Sequence, residues 1–239
     1  MSRAAWILLA AALALRLFFA HGAEELREDE KYRYAEIAAH LRAGEGFSIA
    51  GHPTAQAMPL WPVTLSLLPE GFKAHYLSAL LSTAAVALGW LLARRLAAAR
   101  AALVVLAALA IDLDGAKLGG TLLTEPLFTA LLLAFALALA HGRTVAAAGL
   151  LGLAVLTRPE AFLVPLALAL FGREWKRPLV LLLGVAIAVA PWALRNAREF
   201  DAFVPFTTTG GITLNAGMNA TEAELPFREA GQGRGKRFR

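Results

Sequence analysis

Residues 27–62, REDEKYRYAEIAAHLRAGEGFSIAGHPTAQAMPLWP, form the one long polar stretch in a 239-residue chain otherwise dominated by Ala, Leu and Val. The whole chain is 58% hydrophobic and 17% charged, with a mean hydropathy of +0.58, against about 45–50% and 25% in soluble domains. That balance predicts an all-α integral membrane protein, with the polar stretch held against one face of the bilayer. Within the stretch, Tyr34, Ile37, Ala38 and Leu41 recur at i, i+3, i+4 and i+7, opposite Lys31, Arg33, Glu36 and Arg42, so 30–43 reads as a short amphipathic helix. It lies on the membrane surface or on the helix bundle, with Asp29 and Glu30 at its N-terminal end and Gly44 as its stop. Gly44, Gly46, Gly51, Pro53, Pro59 and Pro62 then break regular structure and return the chain to the bilayer.

Outward from this loop, apolar segments occupy 4–20, 76–92, 98–113, 122–140, 145–157, 161–171 and 179–194. A bilayer core of about 30 Å needs about 20 helical residues, with about 17 the lower end. The first, second, fourth and seventh segments pass or nearly pass; the third is marginal and the fifth and sixth are short. The first resembles a signal peptide but lacks a good cleavage site and is followed by further apolar segments, so it reads as a retained span. If about seven segments alternate, Arg3, then Arg94, Arg95 and Arg100, then Arg143, then Arg173, Lys176 and Arg177 share one side, the cytoplasmic one by the positive-inside rule. Treating 145–171 as a hairpin rather than one crossing preserves that parity. The loop, Asp112, Asp114, Lys117, Glu125, Arg158, Glu160, Arg195 and Asn196 then all meet the outer face. Arg158 lies between two short segments and sits below the headgroups, where an ionisable residue needs a partner or a wet cavity.

The formal charge is +5, but Lys and Arg cluster in connectors and at the C-terminus, with no basic face interleaved with aromatics; nucleic acid is not an expected partner. The sequence contains no Cys, and His52 has no partner at metal-ligand spacing, so neither a metal nor another cofactor is expected.

Four pieces of the chain carry a family resemblance. Asp29-Glu30, Tyr34, Ile37-Ala38, Leu41, Gly44-Glu45-Gly46-Phe47 and Pro59-Leu60-Trp61-Pro62 make the first. Leu123-Thr124-Glu125-Pro126-Leu127-Phe128 is the second, and Gly152-Leu153-Ala154-Val155-Leu156-Thr157-Arg158-Pro159 the third. The last is Pro191-Trp192-Ala193-Leu194-Arg195-Asn196, continued by Phe203-Val204-Pro205-Phe206 and Gly210-Gly211. In order and spacing they resemble the polyprenyl-phosphate-dependent GT-C glycosyltransferases, in particular bacterial relatives of dolichyl-phosphate-mannose protein mannosyltransferases and lipid A aminoarabinose transferases. The resemblance implies an inverting enzyme of the bacterial inner membrane. Such an enzyme moves a sugar from a polyprenyl-phosphate donor to a lipid, glycan or protein acceptor on the periplasmic or outer face. It further implies an acidic base early in the first outer loop. Counted from Tyr34 and Ala38 that position is Glu30, whereas the usual residue type, Asp, is at 29, so both stand as candidates. Tyr34, Glu125, Arg158 and Arg195 are the implied substrate-binding residues, Arg158 and Arg195 for the donor phosphate. Members of the family continue with further spans, so residues 1–200, with the outer loop at 21–75, are expected to be an N-terminal membrane module, and 201–239 a truncated outer tail.

Each candidate also has a structural reading. Asp29 and Glu30 fit helix capping, Glu125 an N-terminal carboxylate on a helix, Arg158 a pairing with Glu160, and Arg195 a side chain snorkelling past the end of a span. Asp112, Asp114 and Lys117 read as a solvated turn, and Trp61 and Trp192 as interface anchors. A catalytically inactive scaffold or assembly subunit is the alternative function. A small transporter ranks below both, because charged positions gather at one face rather than at mid-bilayer.

Overall fold

The computed structural model describes residues 2–23, 33–172 and 175–209, of which 74% are helical. In chain order the helices are α1 (Arg3–Gly22), α2 (Tyr34–Arg42), α3 (Leu60–Ser66), α4 (His75–Leu96), α5 (Ala99–Ile111), α6 (Leu113–Gly119), α7 (Glu125–Ala140), α8 (Thr144–Val155), a 3₁₀ turn (Pro159–Phe162), α9 (Leu163–Phe171) and α10 (Lys176–Phe200). Between α2 and α3, β1 (Ser48–Ile49) and β2 (His52–Pro53) pair antiparallel, Ser48 opposite Pro53 and Ile49 opposite His52. Ala50 and Gly51 at the turn both take positive φ, the geometry that lets a two-residue hairpin follow the strand twist.

Among the described residues, α1, α4 and α10 are long and apolar enough to cross a membrane, at 20, 22 and 25 residues. At 1.5 Å per residue they reach about 30 Å or more. Helices α5, α7 and α8, with 13, 16 and 12 residues, are apolar but shorter, and α9 has 9. Three helices are therefore long and apolar enough to span a membrane, where about seven spans were expected. Helix α10 extends six residues beyond the expected end at Leu194, because Arg195 and Asn196 find partners without ending the helix. The third apolar segment ends at Ile111, where Asp112 takes an extended conformation, and the expected solvated turn is instead α6, packed on α1 and α4 with Ala116 and Gly119 buried.

Packing selects the neighbours. Helix α8 lies against α10 and α7 rather than folding back on α9, which leans on α10 and the 3₁₀ turn. The α8–α10 contact is a backbone approach through Gly152 and Gly184. A Cβ at Gly184 would fall 2.6 Å from Ala148 Cβ and 2.9 Å from the Ala148 carbonyl carbon and oxygen, and one at Gly152 would lie 3.0 Å from the Gly184 oxygen. Small residues at such crossings let helices associate by van der Waals contact where lipid offers no hydrophobic drive. The amphipathic helix is confirmed over 34–42 and lies on the bundle. Tyr34, Ile37 and Ala38 join Phe47, Trp61, Leu122 and Trp192 in one apolar cluster.

Candidate functional site

Pro126 follows Glu125 in the first turn of α7, where its missing N–H and fixed φ suit a helix start, and Glu125 there meets the favourable end of the helix dipole. Arg158 stands in extended conformation just after α8, as the residue before a proline prefers. The two side chains meet: Arg158 Nη1 donates to Glu125 Oε1 at 2.7 Å, and Nη2 to Glu160 Oε1 at 3.4 Å. The Phe128 ring lies under the guanidinium, 5.6 Å from its centre. Burial by itself would lower the Arg158 pKa, but the charges of Glu125 and Glu160 and their hydrogen bonds outweigh it and raise the value above the ordinary one, so this group is a cation at every pH of interest. Glu125 Oε2 is buried and has no hydrogen-bond partner among the described residues. The expected Arg158–Glu160 pair is thus the longer of two contacts, and Glu125 is the principal partner.

Arg195 lies within α10, and its guanidinium turns toward the 47–54 segment. Nη1 donates to the Thr54 carbonyl at 2.7 Å and to Asn196 Oδ1 at 3.0 Å, and Nη2 donates to the Phe47 carbonyl at 2.8 Å. The rings of Phe47, Trp192 and Phe200 surround it at 5.4–5.7 Å. Asn196, fully buried, donates from Nδ2 to the Val204 carbonyl at 2.9 Å. Trp61 and Trp192 are buried, and their Nε1 groups donate to the carbonyls of Leu122 and Phe206, each at 2.7 Å. They are internal hydrogen-bonded anchors, not interface residues, since an indole donor taken out of water needs an acceptor. Replacing Arg195 with Gln is expected to speed amide hydrogen exchange at residues 47–55 by roughly tenfold, since losing one charge-assisted bond costs about 1.5 kcal/mol. Unchanged exchange there would show that the loop is held without it.

These bonds join segments far apart in sequence. The Leu60 amide donates to the Leu156 carbonyl at 3.0 Å, and the Thr208 amide to the Ala55 carbonyl at 2.9 Å. Tyr34 is buried in the same cluster as Leu122 and Trp192 and has an interaction partner of its own. Asp29 and Glu30, the proposed bases, lie outside the described residues. The N-cap position of α2 falls on Arg33, in left-handed conformation, and the acid of its first turn is Glu36, which Arg33 contacts with both Nε and Nη2. Asp114 and Lys117 form an exposed pair on α6, 3.8 Å apart.

Arg16 is a residue that sequence reasoning missed. Only 2% exposed, it donates from Nε to Ser82 Oγ at 2.8 Å, from Nη1 to the Ala12 carbonyl at 3.1 Å, and from Nη2 to the Leu109 carbonyl at 3.2 Å. The signal was available, since Arg16 is the one charged residue within the first apolar segment, 4–20. Among the described residues no group of three or more His, Asp or Glu side chains is arranged to hold a metal ion. No known protein family, curated protein or solved structure matches this chain.

Proposed function

We propose that the chain is the membrane module of a GT-C-type, polyprenyl-phosphate-dependent glycosyltransferase of a bacterial plasma membrane, acting on the outer face. The observation that carries this reading is contiguity. The four pieces of sequence behind the resemblance are linked by hydrogen bonds: the first to the third through Leu60 and Leu156, the first to the fourth through Phe47 and Arg195, and the second to the third through Glu125 and Arg158, while Trp61 bonds to Leu122, just ahead of the second. Helix polarity supports the orientation. Arg3 begins α1, Arg94 and Arg95 close α4, and Lys176 and Arg177 open α10. At the opposite ends, Lys73 just before α4 donates to the His21 carbonyl near the end of α1.

In this reading the acceptor hydroxyl or amine loses its proton to the carboxylate of Asp29 or Glu30 as it attacks the anomeric carbon of the donor sugar. The bond from that carbon to the phosphate oxygen breaks, the electron pair leaves with the polyprenyl phosphate, and the anomeric centre inverts. Arg158, with N–H groups beyond the two given to Glu125 and Glu160, offers a planar fork to the phosphate as its charge builds. Glu125 holds that fork in orientation. Arg195, its donors committed to the outer loop, shapes the site. A second reading, an inactive scaffold, has one observation in its favour: Arg158 faces two carboxylates, which compete with a phosphate for it.

The test is transfer of labelled sugar from polyprenyl-phosphate mannose or polyprenyl-phosphate aminoarabinose by the purified full chain, with membrane lipid and peptide acceptors. Labelled product is expected, reduced in the Asp29→Asn, Glu30→Gln double variant. Product formed equally by both proteins removes the base assignment, and no product above a protein-free control favours the scaffold.

A further inference from the structure

At the end of the bundle away from the 47–62 loop, the basic ends of α1, α4 and α5 come together. Arg16 of α1 donates to Ser82 of α4, and the two helices are antiparallel, since Lys73 just before α4 reaches the His21 carbonyl near the end of α1. Thirteen residues back from Arg16 and thirteen on from Ser82 lie Arg3 and Arg95, so these two stand level, about 20 Å from the Arg16 junction. Helix α5 turns back from α4 across Ala97 and Ala98, both extended, with Arg100 in its first turn. Ala5, Trp90 and Ala102, a short way inside these arginines, belong to one apolar cluster, which ties the three helix ends to a common level.

Among the described residues, the side chains of Arg3, Arg95 and Arg100 are exposed and make no hydrogen bond or ion pair. Arg94 differs, because its guanidinium lies over the Trp90 ring, 5.2 Å from the centre. One turn inward on the same helix faces as the three arginines lie Ile7, Leu91 and Val104, all exposed, since residues four apart share a face. Each arginine thus stands over an outward-facing apolar side chain, the layering of a lipid leaflet, phosphate above and acyl chain below. The tryptophans mark the same level. Trp61, Trp90 and Trp192 are buried, whereas Trp6 is 61% and Trp175 70% exposed. Trp6 follows Arg3 in α1 and Trp175 precedes Lys176 at the start of α10, so both exposed indoles belong to basic helix ends, as at the headgroup level of a bilayer. Helix α5 has no capping side chain and no acid in its first turn, so its dipole adds to the same sign.

We propose that the junction of α1, α4 and α5 binds the phosphate of an anionic glycerophospholipid through Arg3, Arg95 and Arg100, with its acyl chains along Ile7, Leu91 and Val104. The planar guanidinium fork matches phosphate oxygens. A phosphoglycerol headgroup brings net negative charge to the three cations, whereas choline carries a positive charge that offsets its own phosphate. The proposal rests on the membrane reading above, and not on sugar transfer.

Native mass spectrometry of the full-length protein in detergent tests it, with phosphatidylglycerol, with phosphatidylcholine of the same acyl chains, and with inorganic phosphate alone. Phosphatidylglycerol is expected to be retained at least fivefold more than phosphatidylcholine. The Arg95→Gln, Arg100→Gln double variant should lose that preference. An Arg143→Gln, Lys176→Gln variant, which removes the same charge from other basic helix ends, should keep it. Should the first double variant lose its helical circular dichroism, the single Arg100→Gln variant serves instead, with at least a twofold loss against Arg143→Gln. Undiminished preference in the Arg95 and Arg100 variants overturns the proposal, and so does an equal loss in the Arg143 and Lys176 variant, which would show diffuse attraction to a basic face. Displacement of the lipid by millimolar phosphate, which then binds by itself, would show a free-phosphate site and equally overturn it. Equal retention of the two lipids refutes the site and leaves the membrane reading standing, whereas retention of neither counts against both. No sugar donor is present, so none of these outcomes depends on transfer.

Discussion

If the chain is the transferase proposed above, replacing Arg158 with alanine is expected to lower sugar transfer by about 10²–10³-fold, the usual cost of removing one preorganised group aimed at developing charge. It should also lower stability, by an amount that the partial exposure of the pair limits. Removing one partner of a fully buried ion pair costs about 3–5 kcal/mol, and exposed pairs contribute about 0–1 kcal/mol. With side chains 34% and 37% exposed, Arg158 and Glu125 fall between these limits. A loss of about 1–3 kcal/mol follows, the cost of leaving a partly desolvated polar group unpaired, and with it a fall in thermal midpoint of roughly 2–12 °C. Two further variants separate the catalytic from the structural share. Arg158→Lys keeps a cation near Glu125 but loses the planar fork, so it should recover most of the thermal midpoint and little of the transfer. Wild-type transfer by Arg158→Lys would sink the phosphate role. Combining Arg158→Ala with Glu125→Gln should cost less stability than the sum of the single changes, because the two share one interaction.

Changing Arg16 to alanine is expected to destabilise the bundle by about 2–4 kcal/mol. Hydrogen bonds within membrane bundles average about 0.6 kcal/mol each, so the three made by Arg16 give about 2 kcal/mol together. The rest comes from what the cation faces. Leu109 is near the end of α5, whose continuation stops at Asp112, so its carbonyl is among those that a helix end leaves without an intrahelical donor; Arg16 supplies the donor. Asp112 also acts on Arg16 electrostatically, with Gly115 between them: a Cβ there would touch Asp112 Oδ2 and lie 3.9 Å from Arg16 Nη2.

The opposing effect is relief from burying a charge, about 2.5–3.5 kcal/mol at the centre of a spanning helix. Arg16 lies only six residues from the end of α1, about 9 Å, where that cost is smaller, so the loss of partners prevails. Thermal unfolding in detergent, followed by helical circular dichroism, should show a midpoint lower by roughly 5–15 °C. Adding Asp112→Asn to the alanine variant should return part of it, because the carboxylate then has no cation to miss. An unchanged midpoint in Arg16→Ala would mean that the α1–α4–α5–α6 junction is held by apolar packing alone.

Much of the helical content was legible in the chain. The apolar segments at 4–20, 76–92 and 179–194 correspond to α1, α4 and α10, and the spacing of Tyr34, Ile37, Ala38 and Leu41 placed α2 to within a few residues. These are local properties: hydrophobicity, helical periodicity and the breaking effect of Gly and Pro act within a few turns, so a window of sequence contains them. The same windows showed Glu160 as the partner of Arg158, because it is two residues away, and ended the last apolar segment at Leu194, whereas the helix continues to Phe200. They read 112–117 as a turn, although Ala116 and Gly119 give it a face small enough to dock on α1 and α4.

What only the tertiary structure decided is which distant groups meet. Arg158 takes Glu125, 33 residues away, because α8 lies beside α7. Arg195 takes the carbonyls of Phe47 and Thr54 because the loop between α2 and α3 folds onto the end of α10. Buried guanidinium and indole donors must find acceptors wherever packing puts them, and packing here is set by close approaches such as Gly152 to Gly184, which depend on the shapes of two helices at once. From sequence alone the helix in the polar stretch could lie on the membrane surface or on the bundle; that it lies on the bundle, and which helices and carbonyls hold the loop after it, depended on that packing.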